Sequence, residues 1–360
     1  MSIRDLIPDS IRHLAPYNPG HPPSIQIRLD ANENPFPLPP DVAAALGEHL
    51  SRVPVHRYPD PSAAELREVL ARDVGVTPDQ IVVGNGSDEI IALCMAAYSC
   101  PRGPDDRARM AYPWPSFVYY RIACAARGVA PLELPLRADF TLDLDATDAA
   151  LRAGRPNVAF FALPNNPTGT LWPMEGVAEL AARHRDILFV SDEAYIDYCG
   201  ETLLSHLSDN LVVMRTLSKI GLAGLRVGFL VAPRPIIDVL ERIRPPYNVG
   251  ALNQTAAAWL LTHHRPLLLE HCRRVAAERD RLAAALAQVR LEVFPSRANL
   301  LLVRHPRAAA LYRALADRGI LVRNFDRPGA LAGCLRITVG TPEENAALVT
   351  AVTQFSCEER

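Results

Sequence analysis

The sequence predicts an α/β fold, with a large domain that holds a mainly parallel sheet between helices and a smaller α+β domain at its C-terminal end. Three observations carry that expectation. Short apolar runs alternate with amphipathic helical patterns from about residue 81 to residue 232, the signature of a sheet covered on both faces. A long helical stretch follows Pro245-Pro246, and beyond it a shorter alternation resumes. The implied organisation is an N-terminal arm (1–40), a large α/β domain (41–250), a connecting helix region (251–290) and a small C-terminal α+β domain (291–360).

Taken in order, residues 1–40 are rich in proline and asparagine and read as an extended arm with no element of its own. A first helix fits Pro61–Val74, with Asp60 or Ser62 as its cap and Leu66, Val69 and Leu70 on the apolar face. Ile81-Val82-Val83 reads as a strand that runs into the glycine turn Gly84-Asn85-Gly86-Ser87-Asp88-Glu89, which opens a helix over Ile90–Ala97. Strands then fit Arg109–Tyr112, Pro131–Leu134, Val158–Leu163, Ile187–Val190, Leu211–Thr216 and Val227–Ala232, with helices at Ser116–Arg127 and Pro173–His184. A helical pattern runs from about Leu252 to Val289, with a possible break at Pro266. The last unit reads as strands Leu291–Phe294, Leu300–Arg304, Ile320–Arg323 and Leu335–Val339, with helices Arg307–Arg318 and Glu343–Thr353.

Composition narrows the function. With 49% hydrophobic and 22% charged residues, 360 residues suffice for a sizeable core. A formal net charge of -2 provides no field for nucleic acid or an anionic membrane. The seven cysteines lack paired spacing and read as reduced thiols. No apolar run reaches the roughly 18 residues of a membrane span, and the polar start Met1-Ser2-Ile3-Arg4-Asp5 is unlike a signal peptide. These readings point to a cytoplasmic protein without nucleic-acid or membrane partners.

One residue stands apart. Lys219 is the only lysine, and the other 37 basic residues are arginines. A lysine amine can lose its proton and form a Schiff base with a carbonyl, which a guanidinium cannot do. Lys219 is therefore a candidate covalent catalyst, against the plainer reading of a lysine at a helix cap. Its neighbours are suggestive: Thr216 and Ser218 offer hydroxyls and Arg226 a second cation, all just after a strand. Gly84-Asn85-Gly86-Ser87-Asp88 between strand and helix suits a phosphate, and reads equally well as a structural turn. Pro164-Asn165-Asn166-Pro167-Thr168-Gly169 follows another strand, and Asp192-Glu193-Ala194-Tyr195 a third. A carboxylate at Asp192 could keep a pyridine nitrogen protonated, with a helix cap as the alternative, and the Tyr195 phenol could bond a ring oxygen. Ligands of open α/β sheets bind at such strand ends, and together the groups meet the needs of pyridoxal phosphate (PLP) chemistry.

With those residues in view, the chain resembles the fold-type I PLP-dependent aminotransferases, most closely the histidinol-phosphate aminotransferases. The likeness rests on seven ordered motifs: Ala31-Asn32-Glu33-Asn34-Pro35, Tyr58-Pro59-Asp60-Pro61, Gly84 to Glu89, Pro164 to Gly169, Asp192 to Tyr195, Thr216 to Lys219, and Leu335-Arg336-Ile337-Thr338-Val339-Gly340-Thr341. The resemblance implies Lys219, Asp192 and Tyr195 as catalytic residues, with Lys219 in the Schiff base, Asp192 on the pyridinium, and Asn166 and Tyr195 on the ring oxygen. It implies Gly86, Ser87, Asp88, Thr216, Ser218 and Arg226 around the phosphate, with Tyr58 reaching the phosphate of a neighbouring subunit in a homodimer. Phe117, in Pro115-Ser116-Phe117, stands where the family usually has a tyrosine that stacks on the cofactor, and Lys219 and Arg226 are seven residues apart, one fewer than in many relatives.

Tyr17, Asn85, Tyr247, Arg323 and Arg336 complete the implied substrate pocket, although Arg323 also reads as a surface partner of Asp326. The implied reaction is transfer of an amino group from L-histidinol phosphate to 2-oxoglutarate in histidine biosynthesis. An aromatic aminotransferase, a phosphothreonine-type decarboxylase and a PLP-binding regulatory module are the alternatives. His263, His264 and His271 read as a surface helix with no metal site, Arg273-Arg274, Arg279 and Arg281 as a solvated face, and Tyr119 and Tyr120 as packing residues.

Overall fold

The computed structural model describes residues 2–16, 24–102 and 105–358. The first of them form a 3₁₀ turn (Ile3–Leu6) and a short helix, α1 (Asp9–Arg12). The chain then runs β1 (Ile27–Leu29), α2 (Pro40–Leu50), α3 (Ala64–Val74), β2 (Ile81–Asn85), α4 (Ser87–Ala97), β3 (Arg109–Trp114), α5 (Val118–Arg127), β4 (Ala130–Pro135), α6 (Leu144–Gly154), β5 (Val158–Ala162) and α7 (Met174–Arg183). It continues through β6 (Leu188–Asp192), β7 (Leu211–Thr216), β8 (Val227–Val231) and α8 (Arg234–Ile243). The long helix α9 (Ala251–Gln288) leads to β9 (Glu292–Val293), β10 (Leu300–Arg304), α10 (Ala308–Asp317), β11 (Ile320–Asn324), β12 (Cys334–Thr338) and α11 (Pro342–Glu358). Among the described residues no helix is long and apolar enough to cross a membrane.

Seven strands form the larger sheet in the order β2-β8-β7-β6-β5-β3-β4. β7, β6, β5, β3 and β4 run parallel, and β8 is antiparallel to both β2 and β7. The two-residue period of a strand sorts its side chains between two cores. Ala159, Phe161, Phe189, Val213 and Phe229 enter one, with Leu66, Leu70 and Leu260 from the helices. Phe160, Val190, Met214 and Leu230 enter the other, with Ile90, Ile91 and Ile237. Burial on both faces explains why β5 and β6 read as continuous apolar runs.

The structure departs from several sequence expectations. The arm is not without elements: Ile27–Leu29 pairs in parallel with β11 and becomes the edge of a five-stranded sheet, β1-β11-β12-β10-β9. α3 starts at Ala64, three residues later than expected, because the Asp60 carboxylate accepts the amides of Ser62 and Ala64 at 2.9 and 2.7 Å and closes a turn first. α9 is continuous through Pro266. Leu260 and Leu261 before the proline and Leu268 and Cys272 after it are all buried, and Arg265 forks between Asp73 and Asp197 at 2.8 and 2.9 Å. Each buried leucine contributes about 2 kcal/mol, enough together to offset the roughly 3 kcal/mol cost of a helical proline. His271 is buried against Phe36, with ring centroids 5.3 Å apart, and Arg279 is buried with Nη1 donating to the Ala298 carbonyl. Neither belongs to a solvated face.

Candidate active site

The parallel register fixes where the chemistry-bearing loops emerge. Ala162 lies opposite Asp192, and Asp192 opposite Met214, so β5, β6 and β7 end together. The Asn165-Asn166 turn, Asp192 to Tyr195, and Thr216 to Lys219 all leave the sheet at that rim.

Asp192 is the last residue of β6 and is buried. Its Oδ2 accepts the Tyr120 hydroxyl at 2.6 Å and its Oδ1 the Ala194 amide at 3.2 Å. Burial pushes its carboxyl up to about 6 against the pull of those two bonds. Tyr120, fully buried, is held well above the usual phenol range, first by burial and then by the Asp192 charge. The expectation that Tyr120 only packs is therefore corrected: it is the hydrogen-bond partner of the carboxylate. Phe117 lies edge-on to Tyr120, with centroids 5.6 Å apart at 82°. Behind Asp192, the fully buried Glu193 accepts from the Leu203 amide at 2.8 Å, Thr202 at 2.8 Å and Arg215 at 2.8 and 3.1 Å, which anchors the strand end.

Lys219 sits in a single wide turn, Ser218–Leu222, that closes through Gly221 at φ 108°. Its carbonyl accepts the Tyr198 hydroxyl. Desolvation, reinforced by the Arg336 guanidinium, lowers its amine to about 8. The Nζ lies 5.9 Å from the centre of the Tyr195 ring. Burial pushes the Tyr195 phenol up to about 12, so it keeps its proton.

A backbone cradle forms at the start of α4. Gly86 has φ 77°, and a Cβ on Gly228 would stand 2.4 Å from both the Gly86 carbonyl carbon and the Ser87 nitrogen. Only glycine lets β8 approach the turn so closely. Arg226 reaches the same place despite its short spacing from Lys219: its Nη2 lies 3.5 Å from Asp88 Oδ2, and a Cβ on Gly86 would come within 2.7 Å of it. Burial raises the Asp88 carboxyl, opposed by Arg226 and Lys219. The Thr216 hydroxyl accepts the Ser218 amide at 3.2 Å and lies 3.0 Å from the Ser218 hydroxyl. A helix N-terminus, two hydroxyls and a guanidinium converge here, a donor set for phosphate.

The small sheet closes the other side. Arg336 on β12 is buried, and its Nη1 and Nη2 donate to Asn166 Oδ1 at 2.7 Å and the Asp30 carbonyl at 2.5 Å. Arg323 on β11 stands opposite Arg336 in the strand register. Asp326, its alternative surface partner, accepts the Gly333 amide at 2.8 Å. Asn32 donates from Nδ2 to the Tyr195 hydroxyl at 2.8 Å. Glu89 accepts from the Asn85 amide and the Asn248 side chain at 2.5 and 2.7 Å, and the exposed Tyr58 and Tyr247 rings stack 4.5 Å apart. Tyr17 lies outside the described residues. Asn32 and Tyr120 had no assigned role in the sequence. Asn32 stood inside a quoted motif, whereas only the rule that a buried phenol seeks a partner pointed to Tyr120.

An amine able to deprotonate, a buried carboxylate, a protonated phenol and a phosphate cradle are the groups that PLP chemistry calls for. Residues 24–352 match the family model "Aminotransferase class I and II". Histidinol-phosphate aminotransferase 1 of Burkholderia lata is 42% identical over 331 residues, 91% of either chain. The histidinol-phosphate aminotransferase of Aquifex aeolicus is 38% identical over 353 residues, covering 97% of this chain and 98% of that one. The crystal structure of histidinol-phosphate aminotransferase from Sinorhizobium meliloti, in complex with pyridoxal-5'-phosphate, superposes with a TM-score of 0.83 at 26% identity, over 93% of this chain and 92% of that one.

Proposed function

The chain belongs to the class I and II aminotransferases, and from that membership we propose that it moves the amino group of L-histidinol phosphate to 2-oxoglutarate, a step of histidine biosynthesis. The cofactor is pyridoxal 5'-phosphate, which when bound supplies an electrophilic carbon for the amine and a pyridinium ring that absorbs an electron pair. The observation that carries the proposal is that the sole lysine supplies an amine lowered to about 8 at the rim where Asp192 ends its strand.

Each residue then has a task. Lys219, available in both protonation states near neutral pH, would take a proton from the substrate Cα at Nζ and deliver it to the cofactor's electrophilic carbon, the shift that moves the amino group. Asp192 holds a negative charge against the ring nitrogen, and Tyr120 keeps that charge in place. Tyr195 and Asn166 would hold the ring oxygen, and Phe117 would pack on the ring. Gly86, Ser87, Asp88, Thr216, Ser218 and Arg226 form the phosphate end. Arg336 and Arg323 grip the substrate anion, phosphate in one half-reaction and carboxylate in the other, a task suited to guanidinium forks. Tyr17, Asn85 and Tyr247 border the substrate. The working unit is a homodimer in which Tyr58 serves the neighbouring site, a reading supported by its 80% exposure in the single chain. A cytoplasmic location suits a biosynthetic enzyme with small soluble substrates.

A panel of amino donors with 2-oxoglutarate tests the proposal. Histidinol phosphate should give the highest kcat/KM, and a preference for phenylalanine would replace the assignment with an aromatic aminotransferase.

A further inference from the structure

Four hydrogen-bonding groups around Asn32 form a chain whose direction is fixed at one end. The Asn32 backbone N–H donates to Thr338 Oγ1 at 2.9 Å. A backbone amide can only donate, so the threonine oxygen accepts there and its own hydrogen is left for Asn32 Oδ1, 3.2 Å away. With Oδ1 occupied as an acceptor, the other end of the amide must be NH₂, and Nδ2 donates to the Tyr195 oxygen at 2.8 Å. All three residues are buried, so water does not scramble the order. The Asn32 carbonyl is tied in turn by Asn299 Nδ2 at 3.0 Å. Among the described residues the Tyr195 hydroxyl makes no other hydrogen bond, so its hydrogen remains to be donated.

We propose that Asn32 is a positioning residue: its amide, oriented by Thr338, holds the Tyr195 oxygen as an acceptor and so commits the phenol to donate its hydrogen to the cofactor's ring oxygen. This rests on the reading that Tyr195 faces that oxygen. The physical consequence is a directed dipole. A phenol that only donates stabilises negative charge on the ring oxygen, which lowers the proton affinity of the neighbouring nitrogen joined to Lys219. The relay also crosses between units, because Thr338 ends a strand of the small sheet while Tyr195 follows β6 of the large one.

The experiment uses resting holoenzyme and no substrate. The pH midpoint of the bound cofactor's absorbance change is measured for wild type, Tyr195→Phe, Asn32→Asp, Thr338→Val and the double variant Asn32→Asp/Tyr195→Phe. Asn32→Asp is nearly isosteric but offers an acceptor where the amide donated, which turns the phenol hydrogen away from the cofactor. Tyr195→Phe and Asn32→Asp should each raise the midpoint by about one pH unit, on the scale of one charge-assisted bond. Thr338→Val, which frees the amide to reverse, should raise it by less. In the Tyr195→Phe background the added Asn32→Asp change should shift the midpoint by less than about 0.3 unit, the coupling expected of groups acting in series. A shift that persists undiminished in that background would mean charge alone is at work and would overturn the relay, as would an unshifted Asn32→Asp beside a shifted Tyr195→Phe. No shift in Tyr195→Phe itself would remove the assignment of Tyr195 and the relay with it.

Discussion

Replacing Tyr120 by phenylalanine deletes one oxygen, and the structure sets what that oxygen controls. The Tyr120 hydroxyl donates to Asp192 at 2.6 Å in a fully buried setting. Burial already lifts Asp192 to about 6, with the Tyr120 bond as the largest opposing influence. A hydrogen bond to a charged group contributes about 1.5–3 kcal/mol, or about one to two pKa units, so the variant's carboxyl should titrate between about 7 and 8. With Asp192 against the ring nitrogen, as proposed, cofactor binding needs the carboxylate. Affinity is therefore present above that pKa and lost as pH falls through it. From the ionised fractions, the variant should bind pyridoxal phosphate about two- to ten-fold more weakly than wild type at pH 7 and less than about two-fold more weakly at pH 9. Equilibrium titration of apoenzyme from pH 6 to 9 measures this, and the ratio of the two Kd values cancels the cofactor's own titration. Tyr112→Phe is the control, since that ring lies 5.6 Å from Tyr120 while its hydroxyl is buried without a hydrogen bond. A Kd ratio that stays flat with pH, or a Tyr112→Phe profile matching that of Tyr120→Phe, would refute the reasoning.

Lys219→Arg should lower turnover below about 10⁻⁴ of wild type while leaving the circular dichroism spectrum intact, because proton transfer alone is a contribution of that order, and borohydride should label a single wild-type peptide. Arg323→Ala should cost histidinol phosphate on the order of 10²-fold in kcat/KM, about 2–3 kcal/mol, and phenylalanine less; equal losses would remove the phosphate-reading role. Mixing inactive Tyr58→Ala and Lys219→Ala subunits should restore part of the activity through hybrid dimers, and activity that never returns would argue against a shared site. Glu193→Ala leaves the partly buried Arg215 without its fully buried carboxylate partner and should lower unfolding free energy by about 3 kcal/mol, whereas Arg52→Ala, which breaks an exposed pair, should stay within about 0.5 kcal/mol; denaturant melts of both check the contrast.

The central strands could be read because burial on both faces writes itself into consecutive apolar residues, as in Val158-Ala159-Phe160-Phe161-Ala162. Helices α2, α6 and α8 went unread for local reasons. Prolines flank or interrupt the first turns of α2 and α8, and α6 is rich in aspartate, although Asp143 caps it by accepting the Ala146 amide at 3.0 Å. The loops after β5, β6 and β7 could be placed because each follows directly on an apolar run that reads as a strand. Tyr120 could not, since its partner is 72 positions away and no local pattern marks a buried phenol as a carboxylate donor. The stack of Tyr58 on Tyr247 was equally illegible, because it joins two distant loops.

The pairing of Ile27–Leu29 with Ile320–Val322 bears on how such a chain is made. A ribosome delivers β1 early and its hydrogen-bonding partner only after nearly three hundred further residues have emerged. Throughout that interval a short apolar strand has an open edge and the small sheet has no border. Loop closure over that distance comes late and is entropically expensive, and unpaired strand edges invite association with other chains. Asn32, three residues beyond the strand, reaches Tyr195 along the same backbone, so the pairing that fixes the arm also brings its share of the candidate site into position. The border of the small sheet therefore cannot close until residues 320–322 have left the ribosome, and until then the arm that carries Asn32 lacks its strand partner.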